Sequence, residues 1–250
     1  GNYNNNSSTF VAWQWKANGS GSSNTNGSIT STVSANVDAG FSIVSWTGDE
    51  GSDSTVGHGL SKAPEIIIAK VRGESWSWAV FHEDVGKNKN LLLNSTDAAA
   101  TDTDVWADTL PTSSVFTVGT DIQTNWDGRN YIGYCFHSVD GYSKVGSYTG
   151  NGNADGTFVY TGFRPAFVLT KVTNAADDWS IADSSRSPNN VAGESLRPNS
   201  SSAEDSAADI DILSNGFKVR QADSHRINYD GDTFIYIAFA ETPFKYSNAR

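Results

Sequence analysis

The stretch Gly40–Val71, GFSIVSWTGDEGSDSTVGHGLSKAPEIIIAKV, has a near twin about a hundred residues on, Gly141–Val172, GYSKVGSYTGNGNADGTFVYTGFRPAFVLTKV. Laid together with small gaps, Phe41 meets Tyr142, Val44 meets Val145, and Trp46-Thr47-Gly48 meets Tyr148-Thr149-Gly150. Further on, Pro64 meets Pro165, and Ile66-Ile67-Ile68 meets Phe167-Val168-Leu169, closed by Lys70-Val71 and Lys171-Val172. Self-similarity at a fixed period sets architecture before any motif does, and a period this long is that of a duplicated lobe rather than a short solenoid repeat. The repeat divides the chain into an N-terminal strand and polar linker (1–39), a first lobe (40–138) and a second lobe (139–250).

The likeness continues through each lobe. Trp78 meets Trp179, Phe116 meets Phe217, and Asn94-Ser95 meets Asn199-Ser200. Asn125-Trp126-Asp127-Gly128 meets Asn228-Tyr229-Asp230-Gly231, each just before a closing apolar strand. Asp-Gly between strands predicts a tight type I′ hairpin, because that turn needs positive φ at both central residues.

No segment carries a convincing helical period. Short apolar runs separated by Gly, Asn, Asp and Ser predict strands near 41–47, 54–59, 65–71, 76–82, 90–94, 115–119 and 130–137, with the order repeated in the second lobe. About seven short strands per hundred residues argue for an all-β chain of two antiparallel β-sandwich lobes. Ile66–Ile68 suits a central strand covered on both sides. One helical turn is expected around Ala98–Ala100. Residues 17–39 read as a linker with one weak edge strand. Phe10–Lys16 is similar to the closing strands Tyr131–His137 and Phe234–Ala240, so it is expected to be a strand. It reads as the end of a copy whose body lies upstream, or as a strand kept to pair with a sheet here.

Charge narrows the partners. The net charge is −11, and Lys and Arg form no cluster. A nucleic-acid binder needs a basic face to neutralise phosphates, so nucleic acid is excluded, and an anionic membrane surface is disfavoured for the same reason. No stretch reaches the roughly 18 apolar residues of a membrane-spanning helix. The single Cys135 can form no internal disulfide and reads as a small buried hydrophobe. With no Met anywhere, the chain reads as a processed product or a piece of a longer one.

Catalytic signatures are missing: no Gly-x-Ser-x-Gly elbow, no Walker loop, no dinucleotide fingerprint and no His-Glu-x-x-His. His58 has no counterpart in the second lobe and is assigned a structural role. A glycosidase needs two carboxylates about 5–9 Å apart. Asp49, Glu50 and Asp53 share one Gly-rich loop, yet its twin, Gly150–Gly156, holds only Asp155, so no shared catalytic pair is expected and the chain reads as a non-enzyme. These loops could hold Ca²⁺ through carboxylate and carbonyl oxygens, but they lack EF-hand spacing and read first as plain turns; no other cofactor is implied. Trp and Tyr offer flat faces for sugar rings, with Asp to take hydroxyl hydrogen bonds. Trp106 in a polar loop, and Trp126-Asp127 and Tyr229-Asp230 at the turn tips, are the candidate glycan contacts.

The phrases GFSIVSWTG, GSYTGNGNADGTFVYTGFRPAFVLTKV, LSNGFKVR and YIAFAETPFKYSNAR resemble a repeated domain of tailed-phage virion proteins, common in marine and cyanobacterial phages. The resemblance runs from about Phe10 to Arg250. It implies a jelly-roll or concanavalin-like β-sandwich in each lobe, on the virion exterior, in a tail fibre or tail tip, with no catalytic residues to carry over. It implies host attachment through surface glycans, a homo-oligomer (a trimer first) and other virion proteins as partners. It also implies that Arg250 closes the parent chain. A purely structural role, as capsid decoration, fibre or filament subunit, is the alternative; the spare strand Phe10–Lys16 would serve it by completing a neighbour's sheet.

Overall fold

The computed structural model describes residue 6 and residues 9–243; the sequence phrase ending at Arg250 runs past them. In chain order the first part holds β1 (Ser22–Asn24), β2 (Ser31–Asn36), β3 (Phe41–Thr47), β4 (Ser54–Gly57), β5 (Ile66–Val71) and β6 (Ala79–His82). It continues with β7 (Lys89–Leu92), β8 (Ala100–Thr101), the short helix α1 (Thr103–Trp106), β9 (Val115–Val118) and β10 (Asn130–Phe136). The second part holds β11 (Ser143–Thr149), β12 (Phe158–Tyr160), β13 (Pro165–Val172), β14 (Ser180–Asp183), β15 (Ile210–Leu213), β16 (Gly216–Val219) and β17 (Thr233–Ala240). The chain is all-β and its strand ladders are antiparallel.

Four sheets stack as four layers. The first lobe packs an eight-stranded sheet, β1-β2-β3-β10-β5-β6-β7-β8, on the pair β4-β9. The second packs β11-β17-β13-β14 on β12-β16-β15. The two larger sheets then press their outer faces together around Phe41, Ile66, Phe136, Phe167, Ile237 and Phe239. Strand geometry explains the sequence pattern: successive side chains point to opposite faces. Ile66 therefore enters the core between lobes while Ile67 enters the core of its own lobe.

The strand order β3-β10-β5-β6 recurs as β11-β17-β13-β14. Trp46 pairs with Tyr131 and Tyr148 with Phe234 across the two ladders. Each pair stacks, with ring centroids 5.4 and 5.0 Å apart. The register corrects part of the sequence alignment. Gly40 and Tyr142 occupy equivalent positions, each with its carbonyl accepting from the far end of the closing strand (His137 N–H, 3.0 Å; Ala240 N–H, 2.8 Å). Val44 thus matches Gly146, not Val145, and Phe41 matches Ser143, not Tyr142. A one-residue slip moves a side chain to the opposite face: Val44 lies in the first lobe's own core, Val145 in the core between lobes.

Other expectations change as well. Residues 17–39 supply two strands, β1 and β2, and put Ile29 and Val33 into the first core. The helical turn falls at Thr103–Trp106, because Asp102 caps it by accepting from Asp104 N–H (3.0 Å) and Val105 and Trp106 anchor it in the core. Phe10–Lys16 is not a strand. It is an irregular segment whose Trp15 wedges edge-on against Phe136, Phe167 and Phe239, at centroid distances of 6.1, 5.5 and 5.2 Å. Among its described residues the second lobe has no strand at the places of β7 and β8 and no counterpart of α1; residues 184–209 form a long connection that touches β14 through the bridge Ile181–Leu196. Arg197 and Arg226 pin it by bridging the same two carboxylates, Asp178 and Asp205, at 2.8–3.3 Å.

Candidate functional site

Each closing strand is preceded by a rigid turn. Trp126 C=O accepts from Arg129 N–H, and Tyr229 C=O from Asp232 N–H, both at 3.1 Å. Only the glycines of these turns have positive φ, 68° at Gly128 and 76° at Gly231, so neither turn is type I′. Nor is either one a hairpin between neighbouring strands. Gly128 N–H donates to Gly48 C=O (3.0 Å) and Gly231 N–H to Gly150 C=O (3.1 Å), so each turn caps the end of a long-range ladder, β3-β10 or β11-β17. The fit is close: a Cβ on Gly48 would sit 2.3 Å from Trp126 O, and one on Gly150 2.2 Å from Tyr229 O.

A fully buried asparagine sets each turn. Asn125 accepts from Asp49 N–H (3.1 Å) and donates to Asp49 Oδ1 and Gly51 O, both 3.0 Å. Asn228 accepts from Asn151 N–H (3.0 Å) and donates to Asn153 O (2.8 Å) and Gln221 O (2.7 Å). The Gly-rich loops are thereby tied to the turns by amide hydrogen bonds. Burial pushes the Asp49 carboxyl up, but hydrogen bonds from Ser54, Gly51 and Asn125 outweigh it and hold the group below the usual range. Asp155 pairs with Lys218 instead.

The aromatics at the tips stay in solvent. Trp126 is 39% exposed and meets Trp76 edge-on at 6.5 Å, beside the ion pair Arg129–Glu74 (3.3 Å). Its backbone N–H donates to the Tyr131 hydroxyl (2.7 Å), which donates in turn to Ile122 O (2.8 Å). Tyr229 is 40% exposed and stacks on His225 with centroids 3.7 Å apart. His225 Nδ1 lies 2.8 Å from Asp232 Oδ2, and Asp232 also accepts from Asn174 Nδ2 (3.0 Å). Asp127 and Asp230 are exposed beside their aromatic neighbours. Each tip therefore offers an aromatic surface next to carboxylates on a backbone tied to the ladder by hydrogen bonds.

Trp106 does not belong with them. It is 1% exposed, packs on Phe81 and donates Nε1–H to Asn90 Oδ1 (3.2 Å). The polar loop around it hid a core anchor, because the capped turn of α1 rotates the ring inward. His58 is structural: Leu60 N–H donates to Nδ1, which leaves Nε2–H to donate to Thr112 O, both at 3.1 Å. Burial lowers its basicity. Among the described residues, no cluster of three His, Cys, Asp or Glu could hold a metal ion.

Sequence reasoning passed over Phe158 and Tyr160, 45% and 65% exposed on β12. Their signal was the alternation Phe-Val-Tyr: Val159 lies in the second core, so both aromatics must face out. An apolar cleft of about 420 Å³ also opens where the two large sheets diverge, lined by Trp15, Ile43, Ile68, Trp78, Tyr134 and Phe167 among others. It lacks the convergent polar groups that orient a small ligand.

No curated protein and no solved structure has significant similarity to this chain. A family profile spans residues 1–243, across both lobes and the N-terminal segment together. The chain belongs to that family, described as Domain of unknown function (DUF7483).

Proposed function

We propose that this chain is a non-enzymatic surface module of a tailed-phage virion, in a tail fibre or tail tip, that attaches to host glycans through its turn tips. The Tyr229–His225 stack beside Asp232 carries the reading, with Trp126 and Trp76 beside Arg129–Glu74 as its partner in the other lobe. Sugar rings present apolar CH faces to aromatic planes and hydroxyls to carboxylates, and both are available at each tip. The rigid backing lowers the ordering cost of binding. We infer that the two lobes arose by duplication and offer paired sites, in a homo-oligomer at the virion surface that contacts other virion proteins but neither nucleic acid nor membrane. The reading calls for no cofactor.

The test is binding of the intact chain to host cells and to a glycan array, alongside Trp126→Ala and Tyr229→Ala. The expected result is binding that each substitution weakens and the double substitution abolishes, with unfolding temperatures unchanged. An intact chain that binds no cell-surface glycan overturns the reading.

A further inference from the structure

The two lobes treat one sheet edge in opposite ways. Val56 faces Phe116 across β4-β9, and Val159 faces Phe217 across β12-β16, so β4 and β12 are equivalent strands. In the first lobe the outer edge of β4 is covered. Thr55 N–H donates to Ser28 Oγ (2.8 Å), Thr55 C=O accepts from Ile29 N–H (3.0 Å), and Gly57 C=O accepts from Ser31 Oγ (2.8 Å). The covering chain lies so close that a Cβ on Gly57 would meet Asn24 Oδ1 at 2.0 Å.

In the second lobe nothing among the described residues covers β12. Val219 N–H donates to Thr157 O and Thr161 N–H to Asn215 O, both at 3.0 Å, so the bonds of β12 to β16 are made through Thr157, Val159 and Thr161. In an antiparallel ladder the intervening residues turn their N–H and C=O the other way. Phe158 and Tyr160 therefore turn their N–H and C=O to the open edge, where no described residue pairs with them. The same difference leaves β11 at the edge of its sheet, where β3 has β2 alongside. Side chains differ in step: the covered strand carries Thr55 and Gly57, while the open one carries the exposed rings of Phe158 and Tyr160. An exposed edge is a template for strand addition, and exposed aromatics beside it supply cross-strand contacts.

We propose that β12 is a docking edge for an extended segment of another polypeptide, with the chemistry that Ser28-Ile29 uses in cis. A hydroxyl accepts from Phe158 N–H, the next residue's N–H donates to Phe158 C=O, and that residue's aliphatic side chain lies on the Val159 side, as Ile29 lies beside Val56. This is strand addition: main-chain bonds supply affinity and the flanking side chains specificity. It stands on the sheet edges alone, whichever ligand the turn tips take.

The probe is a labelled peptide of residues 26–33, titrated against the whole chain by fluorescence anisotropy. The peptide is expected to bind saturably, and Phe158→Pro to weaken it about tenfold, the equivalent of one lost edge hydrogen bond. Proline at an outward-facing edge position removes that N–H while sparing the ladder. A peptide N-methylated at its isoleucine loses the matching donor and is expected to bind as weakly, with the protein unchanged. No saturation up to millimolar peptide overturns the proposal, and so does binding indifferent to both changes. Self-association of the unmodified chain, lost in Phe158→Pro, would assign the edge to a second copy and overturn the partner-segment proposal.

Discussion

His82 shows how one residue can carry a pH dependence for the fold. It is buried where the two large sheets meet, and burial pushes its pKa down to about 4, against a smaller opposing pull from Asp84. The unfolded imidazole titrates near 6.5, so the unfolded chain takes up a proton first as pH falls. The stability from keeping His82 neutral is full above that value and is lost between it and about 4, amounting to about 3 kcal/mol. His58, also lowered by burial, adds in the same direction. Glu83, raised by burial and by Glu65, acts with the opposite sign. Urea midpoints measured across this range are expected to fall with acidification, and His82→Asn to flatten the slope; an unchanged slope would remove His82 as its source. Trp106 and Trp126 make the complementary point. Both are tryptophans in polar sequence, and what separates core anchor from exposed face is whether the local backbone turns the ring inward.

Among elements, the paired turns hold the candidate site in place. Trp46 Nε1–H donates to Thr124 O (3.0 Å) and the Tyr148 hydroxyl to Ile227 O (2.8 Å), so each turn is anchored just ahead of its buried asparagine. Asn125→Ala and Asn228→Ala are each expected to cost about 2–3 kcal/mol, because the backbone groups they serve would stay buried without partners. Chemical denaturation measures this, and a loss below about 0.5 kcal/mol would show the turns held by other means. The substitutions should also weaken any glycan binding at the tips. Asn125 and Asn228 stand out in the sequence through their Asp-Gly neighbours, whose local pattern is that of a hairpin. The true partner of each turn, Gly48 or Gly150, lies far away in the chain, where short-range turn rules do not reach.

At the scale of the molecule, the core between lobes governs behaviour. Aromatic and aliphatic side chains from both large sheets meet there, with Trp15 as a wedge. An interface this apolar resembles a domain core more than a contact between independent domains. Calorimetry is therefore expected to show a single unfolding transition, with calorimetric and van't Hoff enthalpies equal. Two separated transitions would mean the lobes unfold independently. For the same reason, residues 139–243 expressed alone are expected to self-associate, since Phe167, Ile237 and Phe239 would be exposed together.

Much of the fold was legible because strands are local. Alternation and turn residues are written in consecutive positions, and β3, β5, β9 and β10 begin and end within about one residue of where the apolar runs place them. The likeness between the halves was legible too, at positions with matching hydrogen bonds: Trp78 and Trp179 backbone N–H each donate to an asparagine side chain, Asn94 or Asn199, and Asn125 and Asn228 each accept from a Gly-rich loop. Tertiary structure decided the rest. It set the register that sends Val44 and Val145 to opposite faces, and the contact that turns Phe10–Lys16 into a wedge rather than a strand. It buried Trp106 and left β12 open while Ser28 and Ile29 close β4. Each of these depends on hydrogen bonds or burial between residues distant in the chain. A local pattern states that a side chain needs covering or that a strand has two edges, but only the assembled sheets determine which neighbour does the covering.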